Sequence, residues 1–66
     1  MKAIKVNDSQ IIITEGFEVL SEIAGVKEIK YSGFLVSNVL GKTTVLKVED
    51  WTTNATELTS VDILNI

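Results

Sequence analysis

Sixty-six residues make one domain, 1–66, and a chain of this size buries only roughly 60% of the surface it exposes when unfolded. With no cysteine and no histidine it can build neither a disulfide nor a Cys/His metal centre, so association is the support left to so small a core. The net charge of −3 and the pI near 4.6 set the chain as a whole against a phosphate backbone, and all six bases are lysines, without the bidentate guanidinium that reads phosphate or guanine.

Hydrophobic residues make up 45% of the chain and the mean hydropathy is +0.31, which is high where so much surface must face water. Some of that apolar surface is expected to meet another copy. After Lys47 the chain carries Glu49, Asp50, Glu57 and Asp62 and no base, so one region should be acidic. No proline interrupts it, no run of 18 apolar residues suggests a membrane span, and the start lacks the apolar stretch of a secretory signal. An intracellular, cytoplasmic protein with no membrane partner is the expectation.

Lys2 to Val6 alternates as a half-buried strand, Asn7, Asp8 and Ser9 supply turn chemistry, and Ile11, Ile12 and Ile13 follow as a β-branched strand covered on both faces. From Gly16 the period changes. Phe17, Leu20, Ile23 and Ala24 recur at three- and four-residue steps, which predicts a short amphipathic helix with Gly25 as its left-handed cap. Val26 to Ser37 returns to strand, with Ile29, Tyr31 and Leu35 on one face and Gly33 free to bend it. Asn38 to Lys42 reads as a tight turn around Gly41, Thr43 to Glu49 as the returning strand, and Trp51 as a lid where that strand ends. Asn54 and Glu57 have the spacing of a capping box, equally compatible with a loop, and Ser60 to Ile66 is a terminal apolar strand that needs a partner.

Chemistry is sparse. Glu49 and Asp50 are adjacent and point to opposite faces of a strand, and Glu18 with Glu22 read as a solvated face. Gly41-Lys42-Thr43 ends like a phosphate-binding loop but lacks the upstream glycine and the following helix. Asn54-Ala55-Thr56 has the form of a glycosylation acceptor without a secretory signal to make it one. Phe17, Tyr31, Phe34 and Trp51 are too scattered for a base-stacking platform. No catalytic residue, cofactor or metal ligand is expected, and the chain reads as no enzyme.

Tyr31-Ser32-Gly33-Phe34-Leu35 resembles the apolar-x-Gly-x-Leu core of the bent second strand in the Sm-like (LSm) family of small β-barrels. Val45-Leu46 before Glu49 and Asp50, and the closing Val61 to Ile66, are similar to later strands of that family. The resemblance covers about half the chain and implies a cyclic homo-oligomer closed by strand pairing. The family's RNA-contacting turn offers an Asp, an apolar residue and an Asn, where this chain has Val39 to Thr43 with Asn38 just outside, and its second signature's Arg-Gly pair is missing.

These readings combine into a mainly β fold with one short helix: a small, strongly bent sheet or barrel of about five strands, Sm-like or SH3-like. The expected function is a non-enzymatic oligomeric binding or assembly module, as an Sm-like ring contacting single-stranded RNA through Asn38, Lys42 and Thr43. The alternative is a structural or protein-interaction subunit of viral (phage) or mobile-element origin that binds another protein and no nucleic acid. Leu46, Val48, Val61 and Ile63 are the expected oligomer interface.

Overall fold

A computed structural model describes residues 1–61, nearly all of them in antiparallel strands and tight turns. Four strands, β1 (Lys2–Asn7), β2 (Gln10–Ile23), β3 (Val26–Val39) and β4 (Lys42–Ala55), form a continuous meander. A three-residue strand, β5 (Thr59–Val61), pairs with β1, giving the order β4-β3-β2-β1-β5. The ladder is open, because β4 and β5 stand at its two ends. Yet only residues 56–58 join them, so the sheet must curl. The Thr56 and Glu57 amides both donate to the Val6 carbonyl, at 2.9 and 3.1 Å, bringing the end of β4 back against β1.

The bend centres on Gly33. Both of its ladders slip there: β2 carries one extra residue between Thr14 and Phe17, and β4 one between Val48 and Trp51, opposite the Tyr31–Gly33 stretch of β3. Gly33 has φ of 149°, and a Cβ on it would collide with the Ile13 carbonyl oxygen. Only glycine allows the two backbones to approach so closely. Beside it Thr14, 2% exposed, places its hydroxyl 2.7 Å from both the Gly16 and Ser32 carbonyls, and the Gly16 amide donates to that hydroxyl at 3.2 Å. One buried side chain thus ties the bulge of β2 to the bend of β3.

The curled sheet encloses Ile4, Val6, Ile12, Ile29, Tyr31, Val48 and Ala55, with Leu35 and Leu58 packed at the margin. These positions follow the pleat, since residues directly paired across antiparallel strands share a face. Ile4, Ile12 and Leu35 form one such row.

Residues 16–25 are not helical. They form the second half of β2 and its turn. Phe17 and Val19 hold the strand's period of two, but Leu20 is an extra residue at a second bulge, between Val19 and Ser21, and it shifts the next apolar residues to helical spacing. Gly25, with φ of 79°, belongs to a two-residue turn with Ala24, whose φ is 53°; positive φ at both central positions defines the I′ hairpin, and a left-handed glycine marks that turn as readily as a helix cap. Trp51 likewise falls inside β4, which runs on to Ala55. Of the predicted terminal strand only its start lies in β5; residues 62–66, Ile63 among them, are outside the described residues. No helix is long and apolar enough to cross a membrane among the described residues.

Candidate functional site

The β1–β2 turn and the base of the β3–β4 hairpin meet because the Asn38 amide donates to the Ser9 carbonyl at 2.8 Å. Between them lies a cleft of about 300 Å³. Its floor is Ile11 and Val36, which are cross-strand partners, and its walls include Asn7, Gln10, Asn38 and Thr43. Asn38 and Thr43 are directly paired in the β3–β4 ladder and so reach the cleft from one face. Lys42 pairs with Val39, one step along, and the alternation of the pleat sends it to the opposite face. Two of the three residues assigned to RNA therefore come together and the third stands apart from them.

Most of the remaining polar groups hold one another. The Asn7 Nδ2 donates to Gln10 Oε1 at 2.9 Å, Asn7 Oδ1 accepts from the Ser9 amide at 2.9 Å, and Gln10 Nε2 donates to Ser37 Oγ at 3.1 Å. Among the described residues the Asn38 amide group and the Thr43 hydroxyl have no such side-chain bonds. Lys5 also lines the cleft, but its Nζ lies 3.4 Å from Glu57 Oε2 and 3.8 Å from Asp8 Oδ1. Two carboxylates around one ammonium leave no positive charge for a phosphate, so the cleft suits a neutral, hydrogen-bonding group. Lys42 and Lys47 make no ion pair within 4.0 Å among the described residues.

The residues assigned to an oligomer interface are dispersed. Leu46 is 51% exposed, Val48 lies in the core at 6%, and Val61 is known here only by its backbone pairing with Ala3. Exposed apolar surface is concentrated elsewhere: at the β3–β4 tip, where Val39 and Leu40 project, and along β2 and β4 at Phe17, Val19, Leu20 and Trp51. A second, wider cleft of about 410 Å³ opens beside the latter group, where Gly16, Phe17 and Glu18 of β2 face Asp50 of β4 across Tyr31 and Ser32. It forms because β2 and β4 both bulge opposite the same stretch of β3. Gly16 alone hints at it in the sequence, as a glycine in a stretch that otherwise favours helix.

Tyr31, 3% exposed, has a buried hydroxyl without a hydrogen-bond partner among the described residues, and burial pushes its pKa up to about 12. Three or more acidic, histidine or cysteine side chains do not converge on a metal-sized site among those residues. No family model, no curated protein and no solved structure matches the chain.

Proposed function

We propose that the protein is a non-enzymatic assembly module that works as a homo-oligomer, built on a small barrel of the SH3-like or Sm-like kind. The three-residue link from β4 to β5 and the bend of the long strands at Gly33 support the barrel. The observation that carries the assembly is the exposed apolar surface, with Ile23 76%, Val39 60%, Leu40 101% and Val45 64% exposed on a domain that buries little for its size. Light scattering across the micromolar range tests it. Multimers are expected, and a monomer at every concentration would overturn it.

A second reading, contact with single-stranded RNA, draws on the unengaged Asn38 and Thr43 side chains over the apolar floor of the first cleft. A splayed base is a neutral, flat, hydrogen-bonding ligand of the kind that cleft suits, and an oligomer would repeat a weak contact several times. Fluorescence anisotropy with short uridine-rich RNA at low salt should then give binding that weakens in Asn38→Ala/Thr43→Ala. Absence of binding at low salt would remove RNA and leave self-association standing.

A further inference from the structure

β4 stands at one end of the ladder, with no strand on its outer side among the described residues. Its backbone phase follows from the turn. In the two-residue hairpin at Leu40-Gly41, Val39 and Lys42 exchange hydrogen bonds, and the antiparallel pairs beyond them alternate between bonded and non-bonded. The Asn38 amide agrees with that phase, since it turns away from its pair Thr43 and donates to the Ser9 carbonyl. Lys42, Thr44, Leu46 and Val48 therefore aim their amides and carbonyls at β3, whereas those of Thr43, Val45 and Lys47 aim at the free edge.

Folded proteins usually guard such an edge with charges, bulges or a short strand, and the other edges here are guarded. β2 beyond Thr14 has no neighbour on the β1 side among the described residues, but it carries Glu15, Glu18, Glu22 and two bulges. β5 offers three described residues, and the end of β4 lies against β1, with Ala55 buried. The exception is 42–48, KTTVLKV, which runs in unbroken register from the hairpin turn to the bulge after Val48 and has no acid, proline or glycine. Apolar groups stand on both of its faces. Val45, 64% exposed, extends the Ile11–Val36 row that floors the first cleft, and Leu46, 51% exposed, extends the Ile12–Leu35 row of the core face.

Resting on the assembly reading above, we propose that two copies pair edge to edge through this segment, β4 against β4, antiparallel about a two-fold axis at Val45. Val45 is the midpoint of 42–48, so this register alone pairs the segment over its full length; it sets the outward groups of Thr43, Val45 and Lys47 against one another in about six hydrogen bonds. Val45 meets Val45 of the second copy, Leu46 meets Thr44, and Lys47 meets Thr43. Lys42 falls opposite Val48, so no two lysines oppose each other, and Glu49 arrives beside Lys42 of the second copy. A second copy is the occupant because the strand is complementary to itself in hydrogen bonding, polarity and charge. The axis is normal to the sheet, so Ile11, Val36 and Val45 of both copies make one apolar row, and the two first clefts open on the same face. With about seven residues a side, against roughly 20–30 in a standard interface, association is weak, and an isologous contact closes at two copies.

The test uses the full chain, which has no cysteine of its own. Sedimentation velocity should show wild-type dimers, and Val45→Lys and Val45→Glu should each weaken them by about ten-fold or more in apparent Kd, because the axis sets each new charge against its own copy. Mixed in equal amounts, the two variants should dimerise again, since opposite charges then meet. Val45 is exposed, so the urea midpoint of either monomeric variant should stay near that of the wild type, which separates a pairing role from a folding role. Bonded antiparallel pairs have Cα atoms about 5.5 Å apart, within disulfide reach, so Val45→Cys should oxidise to a covalent dimer; Leu46→Cys, two positions out of line with itself, should not. If the wild type assembles but Val45→Lys assembles equally well, the mixture does not recover, the assembly grows beyond two copies, or Leu46→Cys crosslinks in place of Val45→Cys, the β4 pairing is wrong and the assembly reading survives through another surface. A wild type that is monomeric throughout overturns both.

Discussion

Replacing Gly33 by alanine asks how much of the fold depends on one close approach. The added Cβ would overlap the Ile13 carbonyl oxygen and sit 3.1 Å from the Ile13 carbonyl carbon and 3.2 Å from Thr14 Cα, all backbone atoms of the neighbouring strand. No side chain can swing aside to relieve it. Forcing extra volume into packed structure costs about 1–3 kcal/mol, and the backbone region at φ of 149°, open essentially to glycine, adds about 1–3 kcal/mol. The total, about 2–6 kcal/mol, compares with a whole stability of about 3–10 kcal/mol for a domain of this length. Taken at the middle of both ranges, Gly33→Ala should lose a little over half of its stability. Urea unfolding followed by Trp51 fluorescence reads it directly, since Trp51 pairs with Tyr31 beside the bend. Gly25→Ala is the control: its Cβ meets nothing within 4 Å and only the positive φ is penalised, by about 1 kcal/mol. If Gly33→Ala fell within about 1 kcal/mol of that control, the account of the bend would be refuted.

Thr14→Val keeps the shape of a buried side chain and strips the hydroxyl from the Gly16 and Ser32 carbonyls; leaving these groups unpaired should cost about 1–3 kcal/mol in the same urea assay. Tyr31 predicts a loss of stability at high pH. Its folded pKa of about 12 lies above the unfolded value near 10, so the folded state holds the proton more tightly, and stability present below pH 10 should fall between pH 10 and 12 by at most about 1.4 kcal/mol per pH unit. Tyr31→Phe should abolish that slope and leave neutral-pH stability unchanged or slightly raised, because the hydroxyl it removes is unpaired. Lys5→Met breaks two partly exposed ion pairs and should shift stability by less than about 1 kcal/mol.

The strands and the bend were legible because their causes are local. Alternation marked Ile29, Tyr31 and Leu35 as one face, and a glycine amid β-branched and aromatic residues marked the bend. The misreading of residues 16–25 also has a physical cause. A bulge adds one residue to a period of two, and around Leu20 the result looks helical; what decides the matter is the pairing of Phe17 with Tyr31 and of Val19 with Ile29, which no local pattern displays. The candidate site was half legible for the same reason. Asn38 and Thr43 are close in sequence and share a face by pairing, whereas Asn7 and Gln10 reach the same cleft through the Asn38–Ser9 hydrogen bond, across 29 positions of chain. Lys42 was assigned with its neighbours, and a single step of the pleat separates it from them.

The pairing of β5 with β1 sets Ala3 beside Val61, nearly the full span of the chain apart. The hairpins β2–β3 and β3–β4 each close through a two-residue turn and form within microseconds, but this last ladder must wait until the curled sheet has brought the far end of β4 round to Val6. Pairings so distant in sequence slow folding toward the millisecond-to-second range. Until they form, β1 lacks its outer neighbour and a freshly made chain exposes an unpaired strand edge, so the interval before β5 docks is when the protein is most prone to wrong association.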